Sequence, residues 1–146
     1  MSDTDRLPPR RPIHPRLIGP GAVLLIAALV TDLAYAHSMA FQWKDFSSWL
    51  LTAGLVLAGL GALAVLLDAR LGRIRGVNWL RFIALAIAAL LSLVNAFVHS
   101  RDAYTGVVPE GLVISAIVTL ILLVVGWRDW GVVASVRPLD LKAQRR

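Results

Sequence analysis

The chain has 146 residues, 58% of them hydrophobic and 16% charged, with a net charge of +6 and no cysteine. Soluble domains average about 45–50% apolar residues, so the composition excludes an ordinary water-soluble globule. The missing cysteines exclude disulfides, thiolate metal sites and cysteine nucleophiles. The basic residues are scattered over separate segments, which argues against a nucleic-acid surface.

Four apolar runs account for most of the length, at residues 17–36, 47–67, 77–98 and 111–127. Each is long enough to cross a hydrocarbon core as a helix, which takes about 20 residues. The predicted fold class is all-α: an integral membrane bundle of four transmembrane helices, up-down-up-down, with one domain over residues 14–135. Short connections make successive helices antiparallel neighbours, with the first and third parallel and diagonal.

Residues 1–13 carry Pro8, Pro9 and Pro12 among arginines and form a polar tail. The first run opens on Gly19-Pro20-Gly21, a kinked start and not a phosphate cradle; Gly21, Leu25, Ala28, Asp32 and Tyr35 share one of its faces. No small-residue cleavage signal of the Ala-x-Ala type follows it, so it reads as a retained helix and not a signal peptide. The second run carries Gly54, Ala58 and Ala62 at four-residue spacing, with Gly61 beside them, a pattern that lets helices approach closely in lipid. The third places Ala84, Ala88, Ser92, Asn95 and His99 on one face, a polar stripe expected to turn inward. Pro109-Glu110 starts the fourth run, where proline suits the first turn and the acid complements the helix dipole. Ser115, Thr119 and Gly126 follow within it, and residues 136–146 form a basic tail suited to an anionic leaflet. The echo of Ile26-Ala27-Ala28-Leu29 in Ile87-Ala88-Ala89-Leu90 is read as the coincidence of an Ala-rich chain.

Lysine and arginine counts in the five segments outside the runs are 4, 1, 4, 1 and 5, accounting for all 15. Cytoplasmic loops hold the excess of basic residues, so both termini are expected inside. Trp43, Trp49 and Tyr104 then fall near the outer boundary and Trp79, Trp127 and Trp130 near the inner one, the level favoured by amphipathic rings.

Ionisable residues within a bilayer are costly and count as functional candidates. Asp68, at the inner end of the second run, is expected to make a structural ion pair with Arg81, or with Arg70 or Arg73. Asp32 shares its depth with no lysine or arginine, and must be neutral, bonded to Thr31, Asn95 or Ser92, or reached by water. It reads either as a polar tie between helices or as a proton or ligand site. His37 and His99 close the first and third runs at similar depth, and two facing imidazoles can supply both axial ligands of a haem. Against this, both lie at the membrane boundary, and His37 stands about 140° around the helix from Asp32. Two histidines without a third ligand make a poor metal signature, so no metal is expected, nor any catalytic residue. The leading reading is a non-enzymatic membrane subunit or anchor without cofactor. Alternatives are a b-type haem or quinone-linked carrier using His37 and His99 beside Asp32, Asn95 and Ser92, and a small transporter using Asp32. The expected partners are the lipid bilayer, a redox or other membrane protein, or further copies of the chain.

Ile13-His14-Pro15-Arg16-Leu17-Ile18 resembles the His-Pro-x-Leu-x start of a bacterial four-helix membrane domain of unknown function, numbered twenty-two thirty-one among such families. Asp32, the stretch from Gly61 to Asp68, Asn95 and Gly126-Trp127 are similar in order and spacing. The chain departs from the family at Gly19-Pro20, where Phe-Pro is usual, and at Leu80-Arg81, where a histidine is usual. It departs again at Arg128-Asp129-Trp130-Gly131-Val132-Val133, where Gly-Gly-x-Leu-Val-Tyr is usual. The resemblance implies a bacterial inner-membrane protein, with His14 deprived of a histidine partner. It also allows a redox association, because similar domains accompany periplasmic quinoprotein sugar dehydrogenases.

Overall fold

The computed structural model describes residues 12–74, 76–101, 105–127 and 130. The expectations for residues 1–11 and for the basic tail at 136–146, and the place of Tyr104, lie outside these residues. Four helices form: α1 (Pro15–Ser38), α2 (Phe41–Arg70), α3 (Trp79–His99) and α4 (Glu110–Gly126).

The second helix starts six residues before the apolar run that predicts it. Only Met39 and Ala40 separate α1 from α2, and Met39 adopts a left-handed conformation (φ 53°) with its N–H donated to Tyr35 O. That is a compact helix end, and it leaves the polar and aromatic turn Phe41–Phe46 to continue as helix. The third helix starts two residues late, at Trp79, because the Asn78 side chain accepts from Arg81 N at 3.2 Å and caps it.

Neighbouring helices run antiparallel. Thr31 meets Ser47 near one end of the α1–α2 pair, and Ile18 meets Gly61 near the other. Asn95 meets Ser115 across α3 and α4, and Asp32 meets Ser115 across α1 and α4. The α1–α2 contact is closest at Gly21 and Gly54. A Cβ on Gly21 would lie 3.1 Å from Leu57 Cβ and 3.3 Å from Gly54 O; one on Gly54 would lie 2.7 Å from Leu25 Cδ2. Small residues here let the backbones touch.

The packing is inverted relative to a soluble bundle. Val30, Leu80, Phe97, Leu120 and Val124 are each more than 60% exposed, while His14, Asp32, Ser47, Asp68, Ser92 and Asn95 are wholly buried. An apolar exterior around a polar interior suits a lipid solvent and would aggregate in water. Three helices, α1 to α3, are long and apolar enough to cross a membrane; α4, at 17 residues, is apolar but shorter.

The interior has three layers. Polar clusters close the two ends, and between them Ala22, Leu25, Ala28, Leu51, Ala88, Val118 and Leu122 form an apolar middle. An apolar cleft of about 130 Å³ opens beside this layer between α1, α2 and α3, lined by side chains such as Ile18, Ala58, Ala62, Phe82 and Leu85.

Candidate functional site

Asp32 is the point where all four helices meet. It sits on the buried face of α1 with no exposed surface. Its Oδ1 accepts from the Ser47 hydroxyl of α2 at 2.5 Å and faces His99 Nε2 of α3 at 2.8 Å. Its Oδ2 accepts from the Ser115 hydroxyl of α4 at 2.5 Å. Each of the three partners comes from a different helix, so the carboxylate holds the bundle together at this end.

A second shell of bonds orients these partners. His99 Nδ1 faces the carbonyl of Asn95, one turn back on α3, at 2.9 Å. The Asn95 amide donates to Ser115 Oγ at 2.7 Å. Thr31 donates to Ala28 O at 2.9 Å and lies 2.6 Å from Ser47 Oγ. Asn95 Oδ1 has no hydrogen-bond partner. It lies against Gly111 at the start of α4, where a Cβ would come within 3.3 Å of it and 3.0 Å of His99 Cε1. Ser92 stands apart, since its hydroxyl donates back to Ala88 O at 2.8 Å.

The other end carries an equivalent pairing of histidine with aspartate. Asp68 Oδ2 accepts from the backbone N–H of Ile13 at 2.7 Å and of His14 at 3.0 Å, and faces His14 Nδ1 at 2.9 Å. Arg73 reaches Asp68 Oδ1 at 3.3 Å. The last turn of α2 thus caps the first turn of α1, satisfying amides that a helix start leaves unpaired. Asp68 and its His14 partner are both fully buried.

Sequence and structure differ at three places. Asp68 pairs with Arg73, one of the three expected arginines, and not with Arg81, and it adds His14, which was not expected; the Arg81 guanidinium donates to Val125 O on α4 at 3.3 Å. Antiparallel α1 and α2 bring residue 14 beside residue 68, and Arg81 lies across the turn on a different helix. Asp32 takes His99, Ser47 and Ser115, and reaches Asn95 only through Ser115 and His99; it bonds neither Ser92 nor Thr31 directly. His37 is exposed and His99 is buried, so the structure does not bring the two imidazoles together. Ser47 is a site residue that the sequence does not point to; Ser115 stands out there only as a small residue, and His14 without its Asp68 partner. Lone hydroxyls and a histidine in apolar surroundings were the available signal.

The chain matches the family described as "Predicted membrane protein (DUF2231)" over residues 10–137. It belongs to that family. The match spans both buried clusters of this DUF2231 chain, from Ile13 and His14 to Ser115. No curated protein and no solved structure matches the chain.

The residues present do not fit a haem held by His37 and His99. Iron needs an imidazole lone pair. Both ring nitrogens of His99 are engaged, one with Asp32 and one with the Asn95 carbonyl. Among the described residues, no run of polar groups joins the two clusters. His14 and Asp32 lie eighteen residues apart on α1, about 27 Å at the helical rise. The layer between the clusters is apolar apart from such groups as the Thr119 hydroxyl, which has no hydrogen-bond partner.

Proposed function

We propose that this DUF2231 protein is a non-enzymatic multi-pass subunit of the bacterial inner membrane, which anchors or assembles with a partner. In this reading all four helices span, up-down-up-down, with both termini cytoplasmic. The Asp32 cluster then lies at the outer side and the Asp68 cluster at the inner side.

The observation that carries the reading is the closure of both clusters. Asp32 and Asp68 spend their acceptor capacity on helix-to-helix bonds. Turnover needs groups that converge on a space where a substrate can sit. The cleft of about 130 Å³ is lined by apolar residues alone and offers none. The interior therefore serves to fix four helices in register. The basic residues alternate across the runs as the orientation requires.

The test is to solubilise native membranes gently and isolate the tagged protein. A stoichiometric partner that survives stringent washing is expected. Recovery of the chain always alone would overturn the subunit reading. A reduced-minus-oxidised spectrum of the same material is expected to be flat; a haem band that disappears in His99→Ala would restore the electron-carrier alternative.

A further inference from the structure

We infer that Asp32 and His99 form a proton-binding site, whose bound proton holds the end of α1 against α3. The inference goes beyond the subunit reading and rests on the geometry of this cluster alone.

The hydrogen-bond directions fix where protons must lie. His99 Nδ1 faces a carbonyl oxygen at 2.9 Å, and a carbonyl can only accept, so Nδ1 carries a hydrogen. His99 Nε2 and Asp32 Oδ1 stand 2.8 Å apart. A neutral imidazole protonated at Nδ1 presents a lone pair at Nε2, and a carboxylate presents only lone pairs. Two acceptors at that distance repel, so one proton lies between them. The remaining contacts place it on the ring. Ser47 and Ser115 each approach the carboxyl group to 2.5 Å, the short length of a hydroxyl donating to an ionised oxygen. Asp32 is then a carboxylate accepting three bonds, and His99 is an imidazolium donating two. The cluster is electrically neutral with the proton in place.

Loss of the proton breaks the Nε2–H bond. The electron pair stays on Nε2, and the proton passes to water at the end of the bundle, where the neighbouring Ser100 and Arg101 are exposed. What remains is a buried carboxylate facing a lone pair, without a counter-charge, which is expensive. Other ionisable groups near this end do not replace the proton. Lys44 of α2 donates to Arg101 O at 3.0 Å, and Arg101 pairs with Glu110 of α4 at 2.6 Å in the open. Asp45 of α2 and His37 of α1 are exposed, and Tyr35 of α1 is buried. Asp102 and Tyr104 lie outside the described residues. Relief comes when Asp32 and His99 part and admit water, so proton occupancy and the tie between the ends of α1 and α3 are one event.

The full chain in phosphatidylcholine nanodiscs tests this with two readouts. Nitrogen-15 histidine spectra, assigned by single-histidine substitution, are expected to show His99 protonated at both nitrogens at neutral pH, losing one proton as pH rises. Nitroxides on Leu33→Cys and Phe97→Cys, both exposed positions, are expected to move apart over the same pH interval. Asp32→Asn is expected to abolish that movement, because its amide can donate to a neutral Nε2. A His99 ring with a bare Nε2 beside an ionised Asp32 at neutral pH would overturn the proposal. So would proton loss without movement, or an unchanged transition in Asp32→Asn. The ring spectra need no change at Asp32, so they decide the matter even where Asp32→Asn fails to fold.

Discussion

Asp32 accepts hydrogen bonds from three different helices, and that count sets what its removal costs. Asp32→Ala leaves the buried imidazolium without its counter-charge and takes the shared acceptor from two hydroxyls. Stripping one partner from a buried charged pair costs about 3–5 kcal/mol. Ser115→Ala removes a single hydroxyl, and interhelical bonds in membranes average about 0.6 kcal/mol with a maximum near 1.7. Unfolding in a mild-detergent and denaturant series is expected to rank Asp32→Ala well above Ser115→Ala, with Asp32→Asn between them. Equal losses would show that the carboxylate is not the tie. Asp32, Asn95 and His99 were legible in the sequence because charged and amide groups are rare in apolar runs. Ser47 and Ser115 were not, since a serine in a membrane helix serves equally as a small packing residue. Only helix rotation separates the two roles, and four sparse polar stripes do not fix rotation.

Helix ends and helix crossings carry the next level of stability. The first turn of α1 is capped from another helix, by Asp68 at the end of α2. Losing a cap costs about 0.5–2 kcal/mol, so Asp68→Ala is expected to speed amide exchange at Leu17 and Ile18, with the middle of α1 unaffected. Exchange unchanged in that turn would mean that water replaces the cap. The sequence reading paired Asp68 with arginine because opposite full charges are the simplest partners for a carboxylate. Arg73 supplies that charge at one oxygen, and antiparallel packing adds His14, whose ring and backbone N–H both reach the other. The close α1–α2 approach is legible from Gly54, Ala58 and Ala62 on the second run, and Gly21 is legible on the face of the first run that carries Leu25, Ala28 and Asp32. Gly21→Val would drive its side chain into Leu57 and the Gly54 backbone, whereas a Cβ on Gly59 meets nothing within 4 Å. Overpacking costs about 1–3 kcal/mol, so Gly21→Val is expected to lower the melting temperature and Gly59→Val to leave it unchanged.

At the scale of the molecule, the apolar exterior makes the bilayer part of the fold, and the number of spans decides its orientation. Helix α2 has 30 residues, about 45 Å at the helical rise, and α4 has 17, about 25 Å. The hydrocarbon core is about 30 Å thick, so α1 to α3 are long enough to cross and α4 sits at the lower limit. Two forces favour a fourth span. Ser115 is tied to Asp32 in the interior near one end of the bundle, so α4 cannot peel away without breaking the cluster. The five basic residues that follow the fourth run would face outward if it failed to cross, against the usual cytoplasmic excess. The chain has no cysteine, so single introduced cysteines report their side without background. A membrane-impermeant maleimide on intact cells is expected to label Ser38→Cys and Ser100→Cys. Leu71→Cys and Trp127→Cys are expected to label only after permeabilisation. Trp127→Cys is the deciding position: labelling it from outside would leave three spans, put the basic tail outside, and remove α4 from the membrane although Ser115 is bound to Asp32.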